Sequence, residues 1–158
     1  MKLNQFFDIR ELVPPQIYKI YLSDSIMFLN QNALNMLYRV RVYFNLPIIV
    51  NNWHRGGKLK YRGYRPAFTR IGAKNSQHKL GNAFDFNVIG ISSDEVNKEI
   101  QKHYKVLGVT TLEDKRFSPT WTHIDCRNLG YRTQLKIVKP QVSNKMNLLN
   151  KPENIFLE

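Results

Sequence analysis

The sequence is poor in cysteine and lacks a long apolar run. Its single cysteine, Cys126, excludes an internal disulfide framework, so a packed core has to hold the fold. Strand alternation around Cys126 points its thiol into that core as an inert small hydrophobe. No apolar stretch approaches the roughly 20 residues that span a bilayer. Asp8, Arg10 and Glu11 interrupt the start of the chain, so we expect synthesis in the cytoplasm without a signal peptide.

Acidic residues are also scarce, and one long segment has none. The 158 residues include 24 lysines and arginines against 12 aspartates and glutamates, a formal net charge of +12. No acid occurs between Asn51 and Leu80, where the basic residues are Arg55, Lys58, Lys60, Arg62, Arg65, Arg70, Lys74 and Lys79. The positive electrostatic potential of so many basic residues raises the local concentration of anionic partners. Nucleic acid, an anionic membrane surface and an anionic cell-wall polymer all fit, and charge alone does not choose among them.

Two amphipathic helices are predicted from the spacing of apolar residues. Residues 23–45 repeat apolar side chains every three or four positions, which is typical of a helix covering a core. Its candidate N-caps are Ser23, Asp24 and Ser25. A second helix is predicted over 92–108, with Ser92 and Glu95 as a capping box and Gly108 as its end.

Short strands are predicted in IIVNN, FDFNV, VTTLE and TWTHIDC. In FDFNV, alternation places Asp85 and Asn87 on one face of the strand and the aromatic rings on the other. The segment 53–74 is rich in glycine and arginine and is interpreted as a long functional loop. We therefore expect an α+β fold: one domain over 1–140 with a small, mostly antiparallel sheet flanked by helices. The tail, 141–158, is expected to pack on the surface or to be partly disordered.

Candidate metal ligands lie in two short segments, SQHKLGNAFDFNV and WTHIDCR. His78 precedes the predicted strand that carries Asp85, and alternation puts His123 on the polar side of a second strand, together with Asp125. Two imidazoles and one carboxylate suit Zn²⁺, and a catalytic zinc site keeps one further position open. The sequence therefore predicts a zinc site at the face of the sheet, formed by His78, Asp85 and His123.

The same segments resemble a known family. The pattern S-x-H-x-x-G-x-A-x-D over 76–85, followed by W-x-H-x-D over 121–125, resembles the D-Ala-D-Ala carboxypeptidase-like zinc peptidases. These include bacterial cell-wall carboxypeptidases and many phage endolysins, and the phage-encoded members look most similar. The resemblance implies that Zn²⁺ is bound by His78, Asp85 and His123 and that an amide bond in a peptidoglycan stem peptide is hydrolysed. It also implies action on the cell wall after release, or association with a virion; we expect a monomer.

A substrate site is implied by the same resemblance. The family has an arginine in a GYR segment ahead of the first histidine, where it holds a substrate carboxylate or carbonyl. Arg65 matches that position, and Arg62, three residues earlier, is the alternative. A guanidinium binds a carboxylate bidentately, which lysine does poorly. Ser76, from the first motif, and Trp121, on the face of His123, complete the predicted substrate site.

The general base is less clearly marked. Many relatives place an acid three residues before the last histidine, but here that residue is Thr120, which takes no proton near neutral pH. Glu113 ends the preceding predicted strand, and Asp125 shares a face with His123. Either carboxylate fits the role of base, with the other orienting a ligand imidazole. The context slightly favours Glu113 as base and Asp125 as the orienting residue.

Two other functions fit parts of the sequence. The missing acid at Thr120 favours an inactive relative, such as a virion or baseplate component. Aromatic residues interleave with the basic segment, as in proteins that bind single-stranded nucleic acid: Trp53, Tyr61, Tyr64 and Phe68. That function leaves the histidine and aspartate motifs unexplained, so no specific nucleic-acid partner is expected.

Overall fold

A computed structural model describes residues 4–139, so the predicted tail over 141–158 lies outside the described residues. The helices are α1 (Pro15–Tyr21), α2 (Gln31–Phe44) and α3 (Ser93–Leu107). The strands are β1 (Ile48–Ile49), β2 (Ala83–Val88), β3 (Thr111–Glu113), β4 (Thr122–Asp125) and β5 (Lys136–Val138). Short 3₁₀ helices span Ile9–Glu11, Leu22–Phe28, Trp53–Arg55 and Gln77–Leu80.

The five strands form one sheet in the order β1-β2-β4-β3-β5. The pairs β1–β2, β2–β4 and β4–β3 are antiparallel, whereas β5 runs parallel to β3. The expected α+β class with a mostly antiparallel sheet is confirmed, although β5 was not predicted. Within residues 4–139, no helix combines the length and the apolar character needed to cross a membrane.

One face of the sheet forms the core and the other carries polar side chains. Helices α2 and α3 contact each other and pack on β2, with α3 also touching β4. Phe84, Phe86 and Ile124 point to this side and are fully buried, each contributing roughly 1.5–3 kcal/mol of hydrophobic stabilisation. A slip of one residue would reverse the two faces, so this core also holds Asp85 and His123 on the polar face.

The helix predicted over 23–45 begins later than expected. Residues Leu22–Phe28 form a 3₁₀ helix, Leu29 is extended, and α2 starts after Asn30, whose side chain accepts a hydrogen bond from the amide of Asn32 over 2.8 Å. The candidate caps at 23–25 therefore do not cap α2. Asn30 provides the cap, and the turn before it separates the two helices.

Helix α3 agrees with its prediction and also anchors a loop. Ser92 and Glu95 form the capping box, and Gly108 ends the helix in the left-handed conformation. The hydroxyl of Ser93 donates to the carbonyl oxygen of Pro119 over 2.7 Å. This bond fixes the loop between β3 and β4 at the start of α3.

Candidate metal centre

His78 is positioned by a helix end that only glycine allows. It lies in the 3₁₀ helix Gln77–Leu80, which ends at Gly81 with φ of +69°. A Cβ at Gly81 would lie 2.2 Å from the carbonyl oxygen of Phe28. The amide of Asn30 also donates to the carbonyl of Gly81 over 3.1 Å. The glycine of the first motif therefore lets this short helix end against residues 28–30.

The buried ring of His78 has a defined tautomer. Its Nδ1 lies 2.8 Å from the carbonyl oxygen of Gly63. Because a carbonyl only accepts, Nδ1 carries the proton and the lone pair of Nε2 faces the site. Burial lowers the pKa of His78 to about 4, although the charge of Asp85 acts in the opposite direction. The ring is therefore neutral near pH 7, as a metal ligand requires.

Asp85 and His123 face each other across β2 and β4. Oδ1 of Asp85 lies 2.7 Å from Nδ1 of His123 and 3.2 Å from Nε2 of His78, and the two ring nitrogens are 3.2 Å apart. All three residues are buried. Ligands of a tetrahedral zinc with bonds of 2.0–2.2 Å are separated by about 3.3–3.6 Å. Two of the three separations are close to this range, and the one between Asp85 and His123 is shorter because those two atoms are within hydrogen-bonding distance.

The chemistry of these donors also fits a cation. Burial alone would raise the pKa of Asp85, but His78, His123 and Arg65 together hold it well below its usual range. An ionised carboxylate oxygen and two ring nitrogens therefore converge. A proton satisfies a single pair of them, whereas a metal ion satisfies all three. The donor set of two imidazoles and one carboxylate is one that zinc accepts.

Asp125 lies behind His123, on the side of the ring away from Asp85. Its Oδ2 is 3.4 Å from Nε2 of His123. Arg127 donates to the same carboxylate, from Nε to Oδ1 over 2.8 Å and from Nη2 to Oδ2. Burial alone would raise the pKa of Asp125, but the hydrogen bonds from Arg127 and His123 lower it to about 2. The carboxylate is therefore ionised and already fully engaged.

Glu113 is on the next strand in the sheet. Thr111 pairs with Asp125 and Leu112 with Ile124, so one further step of this register brings Glu113 beside His123. Burial raises the pKa of the Glu113 carboxyl, and the charge of His123 opposes that shift. The side chain is only half-buried, so it remains in reach of solvent and of a bound molecule.

Arg65 contacts the outer oxygen of Asp85. Its Nη2 lies 2.5 Å from Oδ2 of Asp85, and its Nε donates to the carbonyl oxygen of Tyr61 over 2.6 Å. This pair turns Oδ1 of the carboxylate toward the imidazoles. A Cβ at Gly72 would lie 2.9 Å from Nη1 of Arg65 and 3.7 Å from Oγ of Ser76, so both predicted substrate residues border the same stretch of backbone.

Trp121 and Arg62 lie together near this centre. The guanidinium carbon of Arg62 is 5.8 Å from the centroid of the Trp121 ring, and Nη1 donates to Oδ1 of Asn87 over 2.5 Å. Asn87 was not predicted as a site residue, although strand alternation already put it on the face of Asp85. Thr120 is exposed, and its carbonyl accepts from Nδ2 of Asn87 over 2.6 Å.

The aromatic residues of the basic segment mostly pack on the domain. Nε1 of Trp53 donates to a backbone carbonyl over 2.9 Å, and the hydroxyl of Tyr61 accepts from a glutamine side chain over 2.8 Å. Tyr64 stacks on a phenylalanine with centroids 5.1 Å apart. Phe68 is the exposed member of the set, at 72%. These contacts favour a packing role for three of the four rings over a nucleic-acid platform.

Fold and site together define an α+β protein in which two imidazoles and a carboxylate converge on the polar face of a mostly antiparallel sheet. The family Peptidase M15 matches residues 15–125, well over half of the sequence, and the chain belongs to this family. The family predicted from the two motifs is thereby confirmed. Comparison with curated proteins and comparison with solved structures each found no match.

Proposed function

We propose that the protein is a zinc-dependent peptidase that hydrolyses an amide bond in peptidoglycan stem peptides, as a carboxypeptidase or endopeptidase of the phage type. The main support is the convergence of Nε2 of His78, Oδ1 of Asp85 and Nδ1 of His123, whose mutual distances are 2.7–3.2 Å. Membership in Peptidase M15 supports the peptidase class. The acid-free basic segment over 51–80 supports an anionic polymer as substrate.

The residues divide the chemistry among them. A zinc ion bound by His78, Asp85 and His123 would polarise the scissile carbonyl and activate a water molecule. Glu113 takes the proton from the attacking water and delivers it to the leaving amine. Burial raises the pKa of Glu113, which suits a group that first accepts and then donates a proton. Asp125 holds the ring of His123, and its lowered pKa makes it the weaker base.

The substrate lies along the polar face of the sheet. Arg65 and Ser76, which lie near Gly72, border it, and Trp121, which lies beside Arg62, contributes a ring to the same path. Arg65 fixes Asp85 with Nη2 and offers its remaining N–H groups to a substrate carbonyl or carboxylate. The product is released as a shortened or opened stem peptide.

The direct test is mass spectrometry of purified peptidoglycan incubated with the zinc-loaded protein, beside a chelator-treated control. We expect a chelator-sensitive product whose mass identifies the bond that is cut. Zinc bound at one ion per chain without any product from several wall types would overturn the proposal. That result would favour the inactive virion component, for which Thr120 in place of the usual acid is the supporting observation.

Histidine variants test the metal site itself. His78→Ala and His123→Ala should each abolish zinc binding and hydrolysis together, measured by metal analysis and by the peptidoglycan assay. His103→Ala is the matched control, because His103 lies exposed on α3 and contacts Glu99 at 3.8 Å. Full turnover in either of the first two variants would remove that residue from the site.

A further inference from the structure

Arg62 is a half-buried cation without a carboxylate partner among residues 4–139. Its Nη1 donates to Oδ1 of Asn87 over 2.5 Å, and the face of Trp121 lies 5.8 Å from its guanidinium carbon. A guanidinium has five N–H donors, and the others find no acceptor within the described part of the chain. The arginines closest to the site differ in this respect, because Arg65 and Arg127 each bind a carboxylate directly.

The charge of Arg62 is partly withdrawn from water. Burial lowers the pKa of Arg62, and the charge of Arg65 lowers it further, while Asp85 acts in the opposite direction. A charge taken out of water destabilises the folded state unless a partner compensates it. No nitrogen of Arg62 is both buried and without a partner, so its remaining N–H groups face solvent and are open to a ligand. An anion bound from outside the chain would supply the missing partner.

The position of Arg62 relates it to the metal centre. Its carbonyl accepts from the amide of Asp85 over 2.7 Å, so its backbone runs beside β2. The side chain meets Asn87, which lies two residues beyond Asp85 on the same face, roughly 6.8 Å along the strand. That separation corresponds to about two residues of an extended peptide. A substrate with its scissile carbonyl at the metal centre would thus bring a group within two residues of the scissile amide to Arg62.

The guanidinium is also held in place before any ligand arrives. Asn87 is fixed at both ends, since Oδ1 accepts from Arg62 and Nδ2 donates to the carbonyl of Thr120 over 2.6 Å. Trp121 supports the planar group from one face. A preorganised guanidinium loses little side-chain freedom on binding and presents two parallel N–H groups to a carboxylate.

We infer that Arg62, held by Asn87 and Trp121, is a second subsite that binds a free carboxylate of the stem peptide within two residues of the scissile amide. The inference rests on the proposed function and specifies its substrate class. Peptides in which this carboxyl group is ionised are preferred over those in which it is a carboxamide. Arg65 binds the part of the substrate at the metal centre, and Arg62 binds the carboxylate within two residues of the scissile amide.

The kinetic experiment compares two short stem peptides that contain the bond identified in peptidoglycan. The two differ at a single carboxyl group within two residues of the scissile amide, which is free in one peptide and a carboxamide in the other. We expect the wild-type enzyme to show a kcat/KM about 10–100-fold higher for the acidic peptide. Arg62→Met should lose this preference while its kcat/KM on the amidated peptide changes by less than about threefold. Arg70→Met removes one exposed charge from the same segment and should retain the preference.

A binding experiment gives a readout besides turnover. The chain has two tryptophans, Trp53 and Trp121, so Trp53→Phe leaves Trp121 as the only tryptophan beside the proposed subsite. Titration with the acidic peptide should change its fluorescence at a Kd about 10-fold or more below that of the amidated peptide. Adding Arg62→Met should abolish the difference. Circular dichroism checks that each variant is folded.

The outcomes separate the two proposals. Hydrolysis without preference for the acidic peptide, or an equal loss on both peptides in Arg62→Met, would overturn the subsite and leave the peptidase standing. Selective binding of the acidic peptide through Arg62 without hydrolysis would support the subsite and overturn the peptidase. Absence of both binding and hydrolysis would overturn both.

Discussion

Oδ2 of Asp125 lies 3.4 Å from Nε2 of His123, on the opposite side of the imidazole from Asp85. An ionised carboxylate at this position keeps a proton on Nε2, so Nδ1 is the nitrogen that a metal ion would bind. Burial alone would lower the pKa of His123, but Asp125 and Asp85 outweigh it and raise it to about 9, so a metal ion has to displace the proton on Nδ1 near pH 7. Asp125 therefore sets both the orientation and the basicity of the ring.

Asp125→Asn should weaken zinc binding by about 10–100-fold, because the amide no longer holds the ring as an ionised acceptor. Competition with a chelator of known affinity measures the change. Asp114→Asn is the matched control, since Asp114 pairs with Arg116 at the surface and should leave zinc affinity unaltered. Unchanged affinity in Asp125→Asn would show that this contact does not tune the ligand.

Glu113→Gln should lower kcat by about 10²–10⁴-fold while zinc remains bound, because the amide cannot accept a proton from water. Parallel measurements of turnover and zinc content distinguish loss of a base from loss of the metal. Activity within a factor of two of the wild type would exclude Glu113 as the base.

The pH dependence of kcat/KM should reflect the shifted pKa of Glu113. Burial raises this pKa above its ordinary 4.5, so the carboxyl is protonated up to a higher pH than in a free peptide. Because the ionised form is the base, activity should fall as pH drops through a midpoint above 4.5. Zinc content measured at each pH excludes metal loss as the cause. A midpoint at or below 4.5, with zinc retained, would contradict the assignment.

Gly81→Ala should destabilise the fold more than Gly90→Ala. Both glycines have positive φ, +69° and +87°, a conformation that costs other residues about 1–2 kcal/mol. A Cβ at Gly81 would in addition lie 2.2 Å from a backbone oxygen, whereas Gly90 has open space around it. The clash should add about 1–3 kcal/mol to the loss at Gly81. Urea unfolding measures the free energy of unfolding of both variants. Equal decreases would show that the backbone near Phe28 shifts to accommodate the Cβ at no cost in stability.

Strand alternation and helix-capping patterns in the sequence predicted much of the fold. Strand alternation correctly put Asp85, His123 and Asp125 on the polar face, and the capping box at Ser92 correctly marked the start of α3. Both signals arise from neighbours within a few residues, which is why they can be read without tertiary structure. The fold class followed from the same periodicities.

Features set by tertiary packing could not be predicted in the same way. The register that brings Glu113 beside His123 depends on how β3 packs against the core, and the acceptor for His78 is the carbonyl of Gly63, which has no side-chain signal. Cys126, predicted in the core, is half-buried at its edge, although burial does raise its pKa to about 11. The parallel strand β5 was missed because its three residues lack the alternation of a half-buried strand.

Strand β5 has a consequence for how the chain avoids aggregation. It pairs with β3 along Thr111–Glu113 and so moves the sheet edge from the buried β3 to a strand of three residues that includes the exposed Lys136. A short edge strand with a lysine discourages pairing with other molecules, whereas an apolar edge recruits their strands. During synthesis the edge stays uncovered until Val138 has been added, which makes the nascent chain vulnerable to intermolecular pairing until then. Expression of a fragment that ends at Leu135 should therefore yield insoluble protein, although all three candidate zinc ligands are present in it.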